Sequence, residues 1–250
     1  MEKFTMEYII PYYETDRYGR VTPVSLLKYL GETSSQHGDY QGVGFDELQR
    51  ENHGWILYRW KVRFDHYPSV GDKIVVETWT SGFYKFYAYR EFIIYDGSRR
   101  EIGRATTQWI FLDIERKRPI RIPQKFDKIY NIIDEKVFEG FGELEDRVEV
   151  SECLDFNVRK SDIDYNNHVN NAHYLEWVIE TIPEDIEERY FLNEFEIVYK
   201  KETLYGESIV SQRDEGTDNG DYIIYNHSIL SSDGSKQKTM ARTIWKKKLI

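Results

Sequence analysis

The sequence is short of several features, and each shortage excludes a class of protein. A single cysteine, Cys153, means that no disulfide can form within the chain, which fits a reducing compartment. No apolar run approaches the roughly 18 residues of a membrane-spanning helix. Positive charge is in deficit, because 34 Lys and Arg residues face 44 Asp and Glu residues and the formal net charge is −10. Nucleic-acid binding is therefore disfavoured, since phosphate contacts need clustered cations.

The composition is that of a folded chain. Hydrophobic residues make up 40% of the 250 residues and aromatic residues 16%, including 20 tyrosines. This is enough apolar surface for a sizeable core, and the length allows one large domain or two ordinary ones. The first residues show neither an apolar run with a cleavage site nor an Arg- and Ser-rich composition. We therefore expect a cytoplasmic protein.

The two halves of the chain resemble each other. Residues 16–33 align with residues 164–181, and Asp, Val, Leu, an aromatic residue, Glu and Thr recur in register. Three more matches follow in the same order at nearly constant spacing, namely 70–75 with 205–210, 94–97 with 231–234, and 105–109 with 241–245. Four ordered matches predict a duplicated structural unit, with a longer loop after the first helix.

Each copy reads as a helix followed by antiparallel strands. Thr22 with Pro23 in the first copy, and Asn170 or Asn171 in the second, are suited to cap a helix. Strand-like runs rich in β-branched and aromatic residues follow each helix. The predicted strands are 60–64, 73–80, 84–95 and 104–112 in the first copy, and 194–199, 208–212, 222–230 and 239–246 in the second. This pattern predicts an α+β fold in which a sheet wraps a helix. The predicted units are residues 1–130 and 148–250, joined by an acidic connector over 131–147.

The two helix entries differ in chemistry. Asp164, Asn166 and His168 precede the second helix, whereas the first copy has Asp16-Arg-Tyr-Gly-Arg at the same place. Packing alone would favour similar residues in both copies. An Asn-rich capping turn with a structural histidine is the simpler alternative, but the difference between the copies favours a functional site.

Three alternating polar residues can present their side chains to one side of an extended segment. A carboxylate can orient an imidazole, activate water or attack directly, and an amide can hold a carbonyl group. The helix that follows offers unpaired backbone N–H groups and the positive end of its dipole to a developing oxyanion. We therefore interpret Asp164, Asn166 and His168 as a candidate catalytic cluster.

The second-half motif resembles that of the plant-type acyl–acyl carrier protein thioesterases. It reads Asp164-x-Asn166-x-His168-Val-Asn-Asn-x-x-Tyr-x-x-Trp-x-x-Glu180. Looser matches lie in the first half, at Trp55-Ile with Arg59, 63–72, 77–79 and 104–109. The resemblance covers about residues 5–246, nearly the whole chain. It implies a double hot-dog fold, in which two long helices are wrapped by one continuous antiparallel sheet.

The resemblance also implies an activity, a partner and a set of site residues. The activity is hydrolysis of a fatty-acyl thioester on acyl carrier protein, which releases a free fatty acid and ends chain elongation without a metal or cofactor. The family's catalytic positions fall on Asp164, Asn166, His168 and Glu202. Relatives in plants often have Cys after that Glu, but this chain has Thr203, which counts against a Cys–His mechanism. The absence of a transit peptide suggests a bacterial, cytoplasmic version, and we interpret Cys153 as a packed residue.

A mechanism follows as a hypothesis. The thioester carbonyl lies near the start of the second helix, with Asn166, Asn170 and Asn171 helping to bind it. Asp164 or Glu202 generates the attack, and His168 orients the carboxylate or moves the proton. Which carboxylate is the base or nucleophile is left open. The acyl chain is expected between the helix and the sheet of the first copy, whose helix offers Val24, Leu27 and Leu30 on one face.

The acidic carrier must find local positive charge on a chain that is itself acidic. The candidate docking residues are Arg116, Lys117, Arg118, Arg121, Lys200 and Lys201. Two other functions stay open, an acyl-coenzyme A or aromatic-acyl thioesterase, and a non-catalytic acyl-binding or dehydratase-like module. The preferred chain length, its saturation, and the choice between monomer and homodimer are also left open.

Overall fold

The chain divides into two units at Gly140 and Phe141, inside the segment predicted to be a connector. The structure is a computed structural model that describes residues 2–248. We call residues 2–140 unit 1 and residues 141–248 unit 2. Among the described residues, no helix is both long enough and apolar enough to span a membrane.

Unit 1 is an antiparallel sheet with one long helix. Its elements are β1 (Phe4–Ile9), α1 (Pro23–Tyr40), α2 (Phe45–Arg50), β2 (His53–Phe64), β3 (Lys73–Tyr84), β4 (Tyr87–Asp96), β5 (Glu101–Asp113), β6 (Arg118–Pro119) and α3 (Lys125–Ile129). The main strands lie in the order β1-β3-β4-β5-β2, and β6 pairs with β5.

Unit 2 repeats this plan. Its elements are β7 (Glu152–Asn157), α4 (Asn171–Ile179), α5 (Glu184–Arg189), β8 (Tyr190–Tyr199), β9 (Ser208–Arg213), β10 (Thr217–Asp218), β11 (Tyr222–Ser231) and β12 (Gln237–Lys247). The main strands lie in the order β7-β9-β11-β12-β8, and β10 pairs with β11. Strand for strand, this is the order found in unit 1.

Strand registers also coincide between the units. Phe4 pairs with Thr78 in unit 1. The residues 148 and 135 positions later, Glu152 and Arg213, pair in unit 2. A shared register means that corresponding side chains point to the same face of each sheet, since a slip of one residue would reverse every face. The predicted duplication and the α+β class are therefore confirmed, with a hot-dog unit in each half of the chain.

The two main helices begin as predicted but differ in length. The Thr22 hydroxyl accepts a hydrogen bond from the Ser25 backbone N–H at 3.1 Å, and α1 then runs for 18 residues. The Asn170 side chain accepts from the Ala172 backbone N–H at 2.9 Å, and α4 runs for 9 residues. Helix α4 ends four residues before Pro183, which cannot donate a backbone hydrogen bond and instead precedes α5.

Two expectations from the sequence need correction. The predicted strand over 60–64 is only the end of β2, which starts at His53, because the apolar positions before it pack as strand residues too. Cys153 lies in the predicted lead-in strand but is exposed rather than packed. Its strand, β7, is the last in the order of unit 2, and five of its six residues are exposed, so it has little to pack against.

Candidate active site

Three of the four candidate catalytic residues, Asp164, Asn166 and His168, lie on a tight loop before α4. We call residues 163–169 the helix-entry loop, which is closed by a bridge between Ile163 and Val169. The Asp164 N–H donates to the His168 carbonyl at 2.8 Å, and the Asn167 N–H donates to the Asp164 carbonyl at 3.0 Å. Asn167 has a φ of 62°, a left-handed conformation that Asn tolerates better than most residues. Asp164 Oδ1 accepts from the Asn166 N–H at 2.8 Å.

Unit 1 builds the same loop without the same chemistry. Asp16 Oδ1 accepts from the Tyr18 N–H at 2.8 Å and from the Arg20 N–H at 3.0 Å. Gly19 has a φ of 72° at the position of Asn167. The turn made by Asp164 is therefore a property of the loop in both units. What distinguishes unit 2 is the amide and the imidazole that follow it.

His168 contacts the predicted fourth residue of the site. His168 Nε2 lies 3.0 Å from Glu202 Oε2, with side chains 39% and 63% exposed, so solvent reaches the pair. Glu202 lies on the segment between β8 and β9, residues 200–207, which we call the Glu202 loop. The two loops are joined by a backbone hydrogen bond of 3.0 Å from Val169 N–H to the Thr203 carbonyl.

The same junction exists in unit 1 but carries no acid–base pair. There the Val21 N–H donates to the Pro68 carbonyl at 2.8 Å. Arg20 occupies the position of His168, and Tyr67 that of Glu202. The backbone of both units brings these two positions together, but only unit 2 places an imidazole and a carboxylate on them.

The carboxylate fixes which nitrogen of His168 can accept a proton. If Nε2–H donates to Glu202, the neutral ring carries its lone pair on Nδ1. Nδ1 makes no hydrogen bond to any residue of the described chain 2–248, so it can receive a proton from water. The pair has the geometry of an acid–base dyad in contact with solvent.

The start of α4 adds a hydrogen-bond donor beside this pair. The backbone N–H of Asn171, the first residue of α4, makes no hydrogen bond to another described residue, so it can donate to an oxyanion. The Asn170 side-chain oxygen is already used as the cap of α4. Tyr199 fixes the helix start by donating from its hydroxyl to the Asn171 carbonyl at 3.0 Å. Asn166 is exposed in the helix-entry loop.

Tyr174 lies under the Glu202 loop and was not singled out from the sequence as a site residue. Its side chain is 3% exposed, and its hydroxyl lies next to Thr203. Burial raises the pKa of Tyr174 to about 12, against a lowering by Thr203, and the negative charges of Glu207 and Glu202 add a smaller increase. Tyr174 therefore keeps its proton and lies against the Glu202 loop as a neutral group.

The residues predicted to bind the acyl chain lie on α1 in unit 1. Leu27 and Leu30 are 3% and 0% exposed, whereas Val24 is only half-buried. Leu26, at 1% exposure, belongs to the same buried face, four residues before Leu30, and was missed because the prediction followed a spacing of three from Val24. A cavity of about 590 Å³ elsewhere in unit 1 is lined by residues at the end of β3 and around α3, Arg121 among them, and by none from α1.

The predicted docking residues are exposed but differ in their contacts. Arg116, Lys117, Arg118 and Arg121 lie in and around the turn between β5 and β6 of unit 1. In unit 2, Lys200 Nζ donates to Asp146 at 3.0 Å and to Gln237 at 2.7 Å, so its charge is partly used within the unit. Lys201 is exposed beside it. Within residues 2–248, no group of three or more His, Cys, Asp or Glu side chains could hold a metal ion.

Comparison with known proteins agrees with this architecture. The family model for the acyl-ACP thioesterase N-terminal domain matches residues 1–130, and the model for the C-terminal domain matches residues 145–247. The fold and the site thus define a two-unit hot-dog protein of the thioesterase type. The chain belongs to the acyl-ACP thioesterase family.

Individual relatives are distant in sequence. An acyl-ACP thioesterase from Bacteroides thetaiotaomicron superposes with a TM-score of 0.86 at 23% identity, covering 97% of both chains. The 12:0-ACP thioesterase from Umbellularia californica gives a TM-score of 0.85 at 23% identity, covering 98% of this chain and 94% of that one. A chloroplastic palmitoyl-acyl carrier protein thioesterase from Gossypium hirsutum is 26% identical over 98% of this chain, which spans 64% of that protein's length.

Proposed function

We propose that this protein hydrolyses fatty-acyl thioesters carried on acyl carrier protein, releasing the free fatty acid. The observation that carries the proposal is the 3.0 Å contact between His168 and Glu202, which unit 2 has and unit 1 lacks. Family membership and the names of the relatives from Bacteroides, Umbellularia and Gossypium support acyl carrier protein as the carrier.

In the proposed reaction, a water molecule attacks the thioester carbonyl. His168, held by Glu202, takes a proton from that water at Nδ1 as the new C–O bond forms. The oxyanion receives hydrogen bonds from the Asn171 backbone N–H and the Asn166 amide. Collapse of the tetrahedral intermediate breaks the C–S bond, and the proton on His168 passes to the departing thiolate. Water and thioester are thereby converted to a fatty acid and a free thiol.

Asp164 has two roles in this proposal. Its Oδ1 shapes the helix-entry loop, as Asp16 does in unit 1. Its second oxygen, Oδ2, makes no hydrogen bond to any other described residue, so its negative charge remains available to water or to substrate. We propose that this charge assists the attack. The acyl chain is assigned to the interior of unit 1 beside Leu27 and Leu30, and the carrier to the exposed cations named above.

The direct test compares one acyl chain on two carriers. Hydrolysis rates of acyl carrier protein and coenzyme A thioesters are measured over a series of chain lengths with the same enzyme. A higher kcat/KM on the protein carrier supports the proposal. Equal or higher kcat/KM on coenzyme A favours the alternative, an acyl-coenzyme A thioesterase, and no hydrolysis of either favours an acyl-binding module.

A further inference from the structure

A buried lysine lies directly behind the Glu202 loop. Lys238, at the start of β12, is 3% exposed. Its Nζ donates to the Glu202 backbone carbonyl at 2.8 Å and to Glu207 Oε2 at 2.7 Å. One ammonium group thus contacts the residue that carries the proposed site carboxylate and the residue that ends its loop.

The corresponding position of unit 1, Ile102, shows which contacts of Lys238 belong to the fold. The Lys238 backbone carbonyl accepts from the Lys200 N–H at 2.8 Å and the Lys201 N–H at 3.2 Å. In unit 1 the carbonyl of Ile102 accepts from the Asp65 N–H at 2.8 Å and the His66 N–H at 3.3 Å. The backbone anchor is the same in both units, so the lysine side chain is not required to form it.

The buried side chain at this position is apolar in unit 1. Ile102 is 2% exposed, as deeply buried as Lys238. Burying an ammonium group is costly, and its ion pair recovers that cost only with good geometry, so an apolar side chain is the simpler solution. Unit 2 nevertheless has a buried lysine here, and its loop carries Glu202, whereas unit 1 has Ile102 and no carboxylate at the position of Glu202.

We propose that Lys238 is a positioning residue, which fixes the Glu202 loop so that the carboxylate meets His168. This inference rests on the proposed function of the His168–Glu202 pair. The side chain of Glu202 is mostly exposed and has no other hydrogen bond within the described chain, so its position depends on its backbone. Lys238 holds that backbone at the carbonyl of the same residue, and Glu207 neutralises the buried charge and anchors it.

The test replaces the lysine by the residue of the twin unit. Lys238→Ile should fold, because Ile102 fills the same place in unit 1, and a thermal melt checks this. With a small uncharged thioester, kcat should fall by roughly 10- to 100-fold while KM stays unchanged, as expected for a misplaced catalytic group. Lys61→Ile is the matched control, because Lys61 Nζ also donates to a backbone carbonyl, that of Gly140, at 3.1 Å in unit 1. It should leave kcat unchanged.

A double variant separates positioning from a general structural role. In a Glu202→Gln background, Lys238→Ile should cause no further loss of kcat, because Lys238 acts through Glu202. If the two losses multiply, or if Lys238→Ile alone keeps the wild-type kcat, the positioning role is wrong. Should Lys238→Ile not fold, Lys238→Met keeps the length of the side chain, and the same pattern is required of it. Full activity of Glu202→Gln alone would overturn the proposed site itself. That single variant therefore distinguishes failure of the proposed site from failure of the positioning role of Lys238.

Discussion

The two units of this protein share a strand order and a helix-entry turn but differ in the length of the main helix and in the side chains around that turn. Their strand orders and registers agree, and both close a turn with an aspartate before the main helix. The differences that bear on the proposed site lie where that turn meets the loop after β2 in unit 1 and after β8 in unit 2. At the three corresponding positions, unit 1 has Arg20, Tyr67 and Ile102 where unit 2 has His168, Glu202 and Lys238.

This comparison separates what the fold needs from what the chemistry needs. A feature present in both units, such as the aspartate turn, is explained by the fold. A feature confined to unit 2, such as the contact of the Glu202 carboxylate with the His168 imidazole beside the buried Lys238, is not explained by the fold. Each unit therefore serves as an internal control for the other, and the variants below use it in that way.

The largest expected effect is at the acid–base pair. His168→Ala and Glu202→Gln should each lower kcat by roughly 10²–10⁴-fold, because they remove a positioned acid–base group, and should change KM little. The measurement is steady-state hydrolysis of an acyl carrier protein thioester. Arg20→Ala, at the position of His168 in unit 1, is the matched control and should stay active. Near-normal turnover in His168→Ala would refute the assignment of the site.

The second effect tests whether Asp164 does more than shape its loop. Asp164→Asn keeps a side-chain oxygen to accept from the Asn166 N–H but removes the charge. We expect a loss of at least about 10²-fold in kcat if the charge assists the attack. Asp16→Asn makes the same change in unit 1 and should leave turnover intact. If both variants are equally active, Asp164 is a turn residue only.

Much of the fold was predictable because it is local and repeated. The capping side chains of Thr22 and Asn170 predicted where the two main helices begin, and alternating apolar residues predicted the strands. The duplication then gave the sheet plan, since the same sequence pattern folds in the same way twice. Strand ends were less predictable, because they depend on pairing with strands that are distant in sequence, as the early start of β2 shows.

The site was only partly predictable, for a similar reason. The residues clustered in sequence before α4 were found from their pattern, and Glu202 only from the family resemblance. Lys238 was not found, because it acts on a loop more than thirty residues earlier and a lone lysine in a strand suggests a solvated side chain. The buried His37 near the end of α1 was not predicted either: burial, and next to it the charge of Arg90, lower its pKa to about 3, so it is neutral.

A smaller effect concerns docking of the carrier. Charge reversal at Arg118 and Arg121 in unit 1 should raise KM for an acyl carrier protein thioester and leave a small uncharged thioester unaffected. Added salt should do the same, because the screening length falls from about 10 Å at 0.1 M to about 3 Å at 1 M. Lys200→Glu with Lys201→Glu tests the group in unit 2 in the same way. If all of these leave KM for the carrier unchanged, the carrier docks elsewhere or the natural substrate is a coenzyme A thioester.

Buried histidines offer a last comparison between the units. His227 in β11 is 0% exposed, and its Nε2 lies 2.8 Å from the Thr243 hydroxyl. Phe92 pairs with Thr78 in unit 1 as His227 pairs with Arg213 in unit 2, so it occupies the corresponding position, and it is equally buried. Burial, and next to it the positive charge of Arg213, lower the pKa of His227 to about 3. In the folded protein His227 therefore stays neutral between pH 6.5 and about 3, the range in which the same histidine is protonated in the unfolded chain.

The smallest expected effect is on stability at mildly acidic pH. The unfolded histidine binds a proton below a pKa of about 6.5, and folded His227 does not, so the free energy of unfolding should fall as pH falls from 6.5 towards 5. One such histidine contributes at most about 1.4 kcal/mol per pH unit. His227→Phe, which installs the residue of unit 1, should make this slope shallower, while His37 keeps part of it. Urea unfolding at several pH values between 6.5 and 5 measures the slope, and an unchanged slope in His227→Phe would show that the folded protein can protonate His227.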